Sequence, residues 1–234
     1  GGEEWILSGE GQCRGEINLP GAQTELIDAL SKTGKPLIVV IMAGRPLAIV
    51  KESAESDALL YMFHGGTMAG PALADLIFGK ESPSGKLPIT FVKGAGQIPF
   101  YYNRFNTGRP ANARSWTPID SIPLVNAQTS LGYKSSYLDY GFTALYPFGF
   151  GLSYTTFDYS NLTLSSNVLK NNGSVSVKAT IANSGNMDAD EVVQLYVRDR
   201  VGSIVRPIKE LKGFKKIHLA KGEKTEVEFI LHPE

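Results

Sequence analysis

Cysteine occurs once in these 234 residues, at Cys13, so neither an intrachain disulfide nor a cysteine-built zinc site can form. Histidine occurs three times, at His64, His218 and His232, with no ligand spacing, which argues against a metal centre. Neither sign of charge is in excess: 23 Lys and Arg balance 23 Asp and Glu, leaving no basic stripe for nucleic acid or an anionic membrane. No apolar run approaches the roughly 18 residues of a membrane span. There is no glycine-rich phosphate loop between a strand and a helix. Neither Ser8 nor Ser153 lies in a G-x-S-x-G elbow, so a serine-hydrolase reading has little support. The chain opens on "GGEEW", with no initiator methionine and no basic-then-apolar leader. That opening is read as a cut, so the missing leader says nothing about compartment.

An apolar content of 42% with 20% charged residues is ordinary for a globular chain, and the length suits one large domain or two small ones. The first ninety residues alternate helix and strand patterns. "LPGAQTELIDAL" places Leu26, Ile27 and Leu30 at helical spacing, with Gly34 and Pro36 as the stop. "PLIVVIMAG" is a continuous apolar run, which predicts a strand buried on both faces in a parallel sheet. A strand at "DALLYMF", a helix through "GPALADLIF" ended by Gly79, and a strand at "GKLPITF" after the "SPSG" turn are expected next. Residues 1–92 therefore read as an α/β layer, part of a larger, mostly parallel sheet flanked by helices.

Residues 93–150 have little periodicity, and a connection this long is uncommon in a compact domain unless it is functional or packs over a neighbour. Its aromatics, among them Phe100, Tyr101, Tyr102, Phe105 and Trp116, argue against plain disorder. From residue 151 onward, "FDYSNLTL", "SVSVKATIAN", "EVVQLYVRD" and "TEVEFIL" alternate apolar and polar residues between turn-rich stretches, predicting a β-sandwich. About five strands fit before Glu234, where a sandwich usually has about seven. The C-terminus is therefore also expected to be a cut.

One short stretch carries a possible chemistry. In "WILSGEGQCR", Glu10 stands between Gly9 and Gly11, a setting poor for a helix and suited to a loop. For a loop glutamate taken alone, the ordinary reading is a solvated turn residue. Arg14 closes the stretch, and an arginine at a loop end most often makes a structural ion pair. Arg45, in "AGRP", follows the carboxyl end of a strand, where ligands of α/β sheets collect, although domain packing is the favoured reading. The sequons at Asn161 and Asn172 are short patterns of low specificity.

Taken in order, "SGEG" with Arg14, "INLPGAQ", "GKPLIVVIMAGRPLAI", "ADLIFGKESPSGKLPITF", "GQIPFYYNRFNTGRP", "LYPFGFGLSYTTF" and "RPIKELKGFKKIHLAKGE" resemble the C-terminal portion of family 3 glycoside hydrolases. This is the β-glucosidase and β-xylosidase group. The resemblance implies a partial α/β sandwich, then a fibronectin type III-like β-sandwich that is incomplete here. It makes Glu10 the acid/base of a retaining β-glycosidase, with Glu3 as the rival glutamate. Such enzymes need two carboxyls about 5–5.5 Å apart, a nucleophile and a proton donor. The family's nucleophile sits on an N-terminal barrel domain that these residues lack, so the chain alone is expected to be inactive.

By the same resemblance, Arg14, Tyr101 and Tyr102 are candidates for contact with an oligosaccharide or β-glucoside. Filling an interface explains the two tyrosines equally well. Val92 and Lys93 depart from the family where a proline is usual. No metal or organic cofactor is implied. The parent is expected to be periplasmic or secreted, with a homodimer as one assembly open to it. Two other readings stay open: a non-catalytic carbohydrate-binding or scaffold module, and a gene fragment with no role of its own.

Overall fold

A computed structural model describes residues 1–4, 6–9, 11–125 and 132–233. The chain divides into two compact units, one of residues 1–69 and 89–148 and the other of residues 70–88 and 149–234.

The first unit opens with a small antiparallel hairpin, β1 (Ser8–Gly9) and β2 (Gln12–Cys13), in the register Ser8 to Cys13 and Gly9 to Gln12. Helix α1 (Gln23–Ser31) follows. It stops where the Gly34 backbone turns left-handed, at φ +67°, and the amides of Thr33 and Gly34 bond back to Leu30 and Ser31. The apolar run then forms β3 (Ile38–Ile41). After the short α2 (Val50–Glu55) comes β4 (Ala58–Tyr61), which pairs with β3 in parallel, Ile38 to Ala58 through Ile41 to Tyr61. The parallel ladder is the one expected, but β3 is buried on one face only. Val39 and Ile41 are sequestered while Ile38 is about half exposed.

A parallel bridge between Gly2 and Met42 continues the layer. It requires glycine, because a Cβ at residue 2 would lie 1.8 Å from the Met42 carbonyl oxygen. Beneath it, Ile17, Leu19, Leu47 and Ile49 are buried, and the Ala48 amide donates to the Ile17 carbonyl at 2.7 Å. Helices α1 and α2 are joined by Lys51 to Asp28 at 3.2 Å and by the Thr24 hydroxyl to the buried Glu52.

Within residues 89–148 order comes from side chains more than from regular elements. Buried Gln97 accepts from the Lys93 amide and donates to the Thr143 carbonyl, and the Trp116 Nε1 donates to the Tyr137 carbonyl at 2.8 Å.

Helix α3 (Ala69–Ile77), which belongs to the second unit from residue 70 onward, carries Pro71 in its first turn, where no helical N–H is needed. It ends at Gly79, φ +69°. The strand expected at "GKLPITF" is absent. Pro88 has no N–H to donate to a ladder, and the segment instead makes separate pairings on either side of it. Leu87 exchanges backbone bonds with residues 149 and 150, and Phe91 with residues 145 and 146.

The remaining chain forms five strands, as expected. They are β5 (Phe157–Leu164), β6 (Val175–Asn183), β7 (Ala189–Val197), β8 (Glu210–Leu219) and β9 (Lys224–Leu231). One sheet has the order β5-β6-β9 and the other pairs β7 with β8, all antiparallel. Ile181, Val193, Leu219 and Val227, two from each sheet, form a single buried cluster, so the sheets face one another. Inward apolar residues at every second position of β6 and β7 produce this arrangement.

Asn183, 1% exposed, sits beside the cluster with both ends of its amide used. It donates to the carbonyls of Met187 and Leu219 and accepts from Thr155 and Gly185. Lys86 reaches the buried Glu191 at 3.1 Å, and the Tyr159 hydroxyl donates to the same carboxylate at 2.9 Å. Trimming the fully buried Ile181 to valine should cost about 1 kcal/mol, read as a lower denaturant midpoint at an unchanged slope.

Candidate functional site

Glu10, the acid/base expected from the sequence, lies outside the described residues. The residues on either side of it form the hairpin. The Arg14 amide donates to the Leu7 carbonyl at 3.1 Å and so closes the foot of the hairpin. The Gln12 side chain adds a bond to the Ile6 carbonyl at 3.3 Å. Gly11 has φ +85°, a conformation that glycine adopts without a Cβ penalty. The paired part of the hairpin is therefore short, Ser8 with Cys13 and Gly9 with Gln12.

Three charged side chains converge at the foot. Glu3 leaves the extended segment beside β3, its amide donating to the Met42 carbonyl at 3.0 Å, and its side chain is fully buried. Arg45 follows β3 and grips it in a bidentate pair, Nε to Oε2 and Nη2 to Oε1, both at 2.8 Å. Arg14 adds a third bond, Nη1 to Oε1 at 2.6 Å. A buried carboxylate is tolerated only when so paired. The hydrogen bonds from Arg45 are the largest influence on Glu3; with the contribution of Arg14 they outweigh desolvation and hold its carboxyl below the ordinary carboxylate range. A group kept ionised in this way holds no proton to give at neutral pH.

The guanidiniums do more than neutralise Glu3. Arg45 donates Nη1 to the Arg14 carbonyl at 2.8 Å and Nη2 to the Glu16 carbonyl at 3.0 Å. Arg14 donates to the Asn18 carbonyl at 2.9 Å. The Tyr61 hydroxyl, on β4, donates to the Arg45 carbonyl at 2.5 Å and accepts from the Leu47 amide at 3.3 Å. Burial pushes this phenol up to about 12, so it stays a donor across the physiological range. Its ring packs edge-on against Phe63 and Phe91, at centroid distances of 4.9 and 4.7 Å.

Tyr101 and Tyr102 belong to a different group. Tyr101 is 65% exposed. Tyr102 stacks on Phe148 with centroids 4.2 Å apart, and Arg104 lies over Phe100 at 4.6 Å. Of the residues singled out from the sequence, the structure thus brings together Arg14, Arg45 and the rival glutamate Glu3. Sequence reasoning missed the linking role of Arg45 and Tyr61 altogether. No local pattern joins positions 3, 14, 45 and 61, and the only available hint was an arginine directly after a buried strand.

Among the described residues no group of His, Cys, Asp and Glu could hold a metal ion, and no helix is long and apolar enough to cross a membrane. Comparison with known proteins gives the family. The chain is 44% identical over 228 residues to a periplasmic beta-glucosidase of Salmonella typhimurium, covering 97% of this chain and 28% of that protein. It is 41% identical over 223 residues to a beta-xylosidase of Formosa agariphila, covering 95% and 28%. Among solved structures, the beta-glucosidase from Listeria innocua in complex with isofagomine superposes with a TM-score of 0.88 at 38% identity, over 99% of this chain and 30% of that one. The chain therefore spans less than a third of the length of these relatives. Residues 191–234 match the fibronectin type III-like domain. Residues 1–154 match the glycosyl hydrolase family 3 C-terminal domain, and the chain belongs to that family.

Proposed function

We propose that these residues form the acid/base-bearing portion of a retaining β-glycosidase that hydrolyses terminal, non-reducing β-D-glucosyl or xylosyl residues. In this reading residues 1–92 belong to an α/β sandwich, 93–150 to its connector and 151–234 to the fibronectin-like domain. The nucleophile comes from a barrel domain outside the 234 residues. Glu10 protonates the departing glycosidic oxygen, then deprotonates the water that releases the sugar. One observation carries the proposal: 44% identity to a beta-glucosidase, sustained over 97% of the chain. The state of Glu3 supports Glu10 as the donor, because a carboxylate gripped by two arginines is a poor acid.

For the sugar, the exposed Tyr101 offers a ring on which the C–H face of a pyranose can stack, and Tyr102, stacked on Phe148, is the second aromatic contact. Arg14, at the foot of the hairpin, stands as a further contact. The periplasmic relative suggests a periplasmic or secreted setting.

The test uses the full-length protein and residues 1–234 side by side. The full-length protein should release β-glucose from an aryl β-glucoside, seen as the first-formed anomer by NMR, while residues 1–234 give no turnover. An α-anomer as first product, or enzyme-like turnover by residues 1–234, would remove the proposal.

A further inference from the structure

A hairpin as short as Ser8–Cys13, with Gly9 and Gly11 in it, has little stiffness of its own. Its rigidity has to come from the foot, and the foot is tied to one buried carboxylate. We propose that Glu3 is a positioning residue. Through Arg14 and Arg45 it fixes the base of the hairpin and thereby sets where the side chain of residue 10 meets substrate. This inference rests on the reading of Glu10 as proton donor.

The ties run in one direction. The parallel strands hold Glu3 by its amide on Met42 and hold Arg45 by its carbonyl on Tyr61. Glu3 orients both guanidiniums. These in turn capture three carbonyls in the chain leaving the hairpin, those of Arg14, Glu16 and Asn18. Loss of the carboxylate would leave each guanidinium free to rotate away from those carbonyls. The hairpin would then be anchored chiefly by its own few backbone bonds. Misplacement of a proton donor by about 1 Å is enough to cost on the order of a hundredfold in rate.

An ion pair that merely stabilised the fold would not discriminate among substrates, whereas a positioning role must. Departure of an alkoxide needs a proton from the donor; departure of dinitrophenolate does not. The experiment measures kcat/KM for an alkyl and a dinitrophenyl β-glucoside with full-length Glu3→Gln and Arg45→Lys. The second variant keeps a positive charge beside Glu3, so the fold is retained even where the first fails, but a single ammonium cannot reproduce the guanidinium fork that holds Glu3 and the carbonyls of Arg14 and Glu16 together. The alkyl substrate should lose about tenfold to a hundredfold while the dinitrophenyl substrate stays within about twofold. Equal losses on both substrates, or no loss on either, would overturn the positioning role. Glu10→Gln is measured alongside to separate the two ideas. If it shows the leaving-group dependence and the foot variants do not, only the positioning role is lost. If it shows none, the donor assignment fails and the inference goes with it.

Discussion

Replacement of Glu10 by glutamine in the full-length protein is expected to lower kcat/KM for alkyl β-glucosides by about 10²- to 10⁴-fold, the usual contribution of a positioned general acid. Glutamine keeps the shape and hydrogen-bonding reach of the side chain but has no acidic proton. The loss should therefore scale with the basicity of the leaving group and largely disappear for dinitrophenyl β-glucoside. The second half-reaction gives an independent check. Without a base to activate water, the glycosyl-enzyme formed from an activated substrate should accumulate as a burst of phenolate followed by slow turnover. Azide, a nucleophile that needs no deprotonation, should restore turnover in Glu10→Ala and yield the β-glycosyl azide. A uniform loss on every substrate, with no azide product, would exclude Glu10 as the acid/base.

The second large effect concerns stability. Glu3→Gln should lower the unfolding free energy by about 3 kcal/mol, measured by denaturant titration, because it leaves the charges of Arg14 and Arg45 without their buried partner. This is the low end of the range for a broken buried pair, since both guanidiniums keep roughly a quarter of their surface in solvent. The pH dependence carries a definite sign. The Glu3 carboxyl is held below its unfolded value of 4.5, chiefly by hydrogen bonds from Arg45. Its contribution is fully present above 4.5 and is lost as the pH falls through the lower folded value. The gap in stability between the native protein and Glu3→Gln should therefore be constant around neutrality and narrow on acidification below 4.5. A gap that persists unchanged into that acid range would show that packing, not charge, is the source.

Several elements were legible because their pattern is local. The alternation in "SVSVKATIAN" and "EVVQLYVRD" became β6 and β7, since a period of two leaves one way to bury Val177, Ile181 and Val193. The apolar run became β3, paired in parallel with β4. Helix α2 was missed: six residues, "VKESAE", are too few to display a helical period. The expected strand at "GKLPITF" failed on one residue, Pro88, whose missing donor outweighs the β propensity of its neighbours.

The candidate site divides along the same line. A carboxylate between two glycines, ahead of an arginine, is a local pattern, and the sequence alone determined it together with the alternating strands and the family resemblance. That Glu3 is no free carboxylate was decided by the tertiary structure. Its state depends on Arg45, 42 residues away, on Tyr61 beyond it, and on burial that no short window contains. Local pattern dictates which elements form, because backbone hydrogen bonding and side-chain period act over a few residues. Which charges are neutralised, and which loop is held still, depends on segments meeting across the fold, and only packing brings them together.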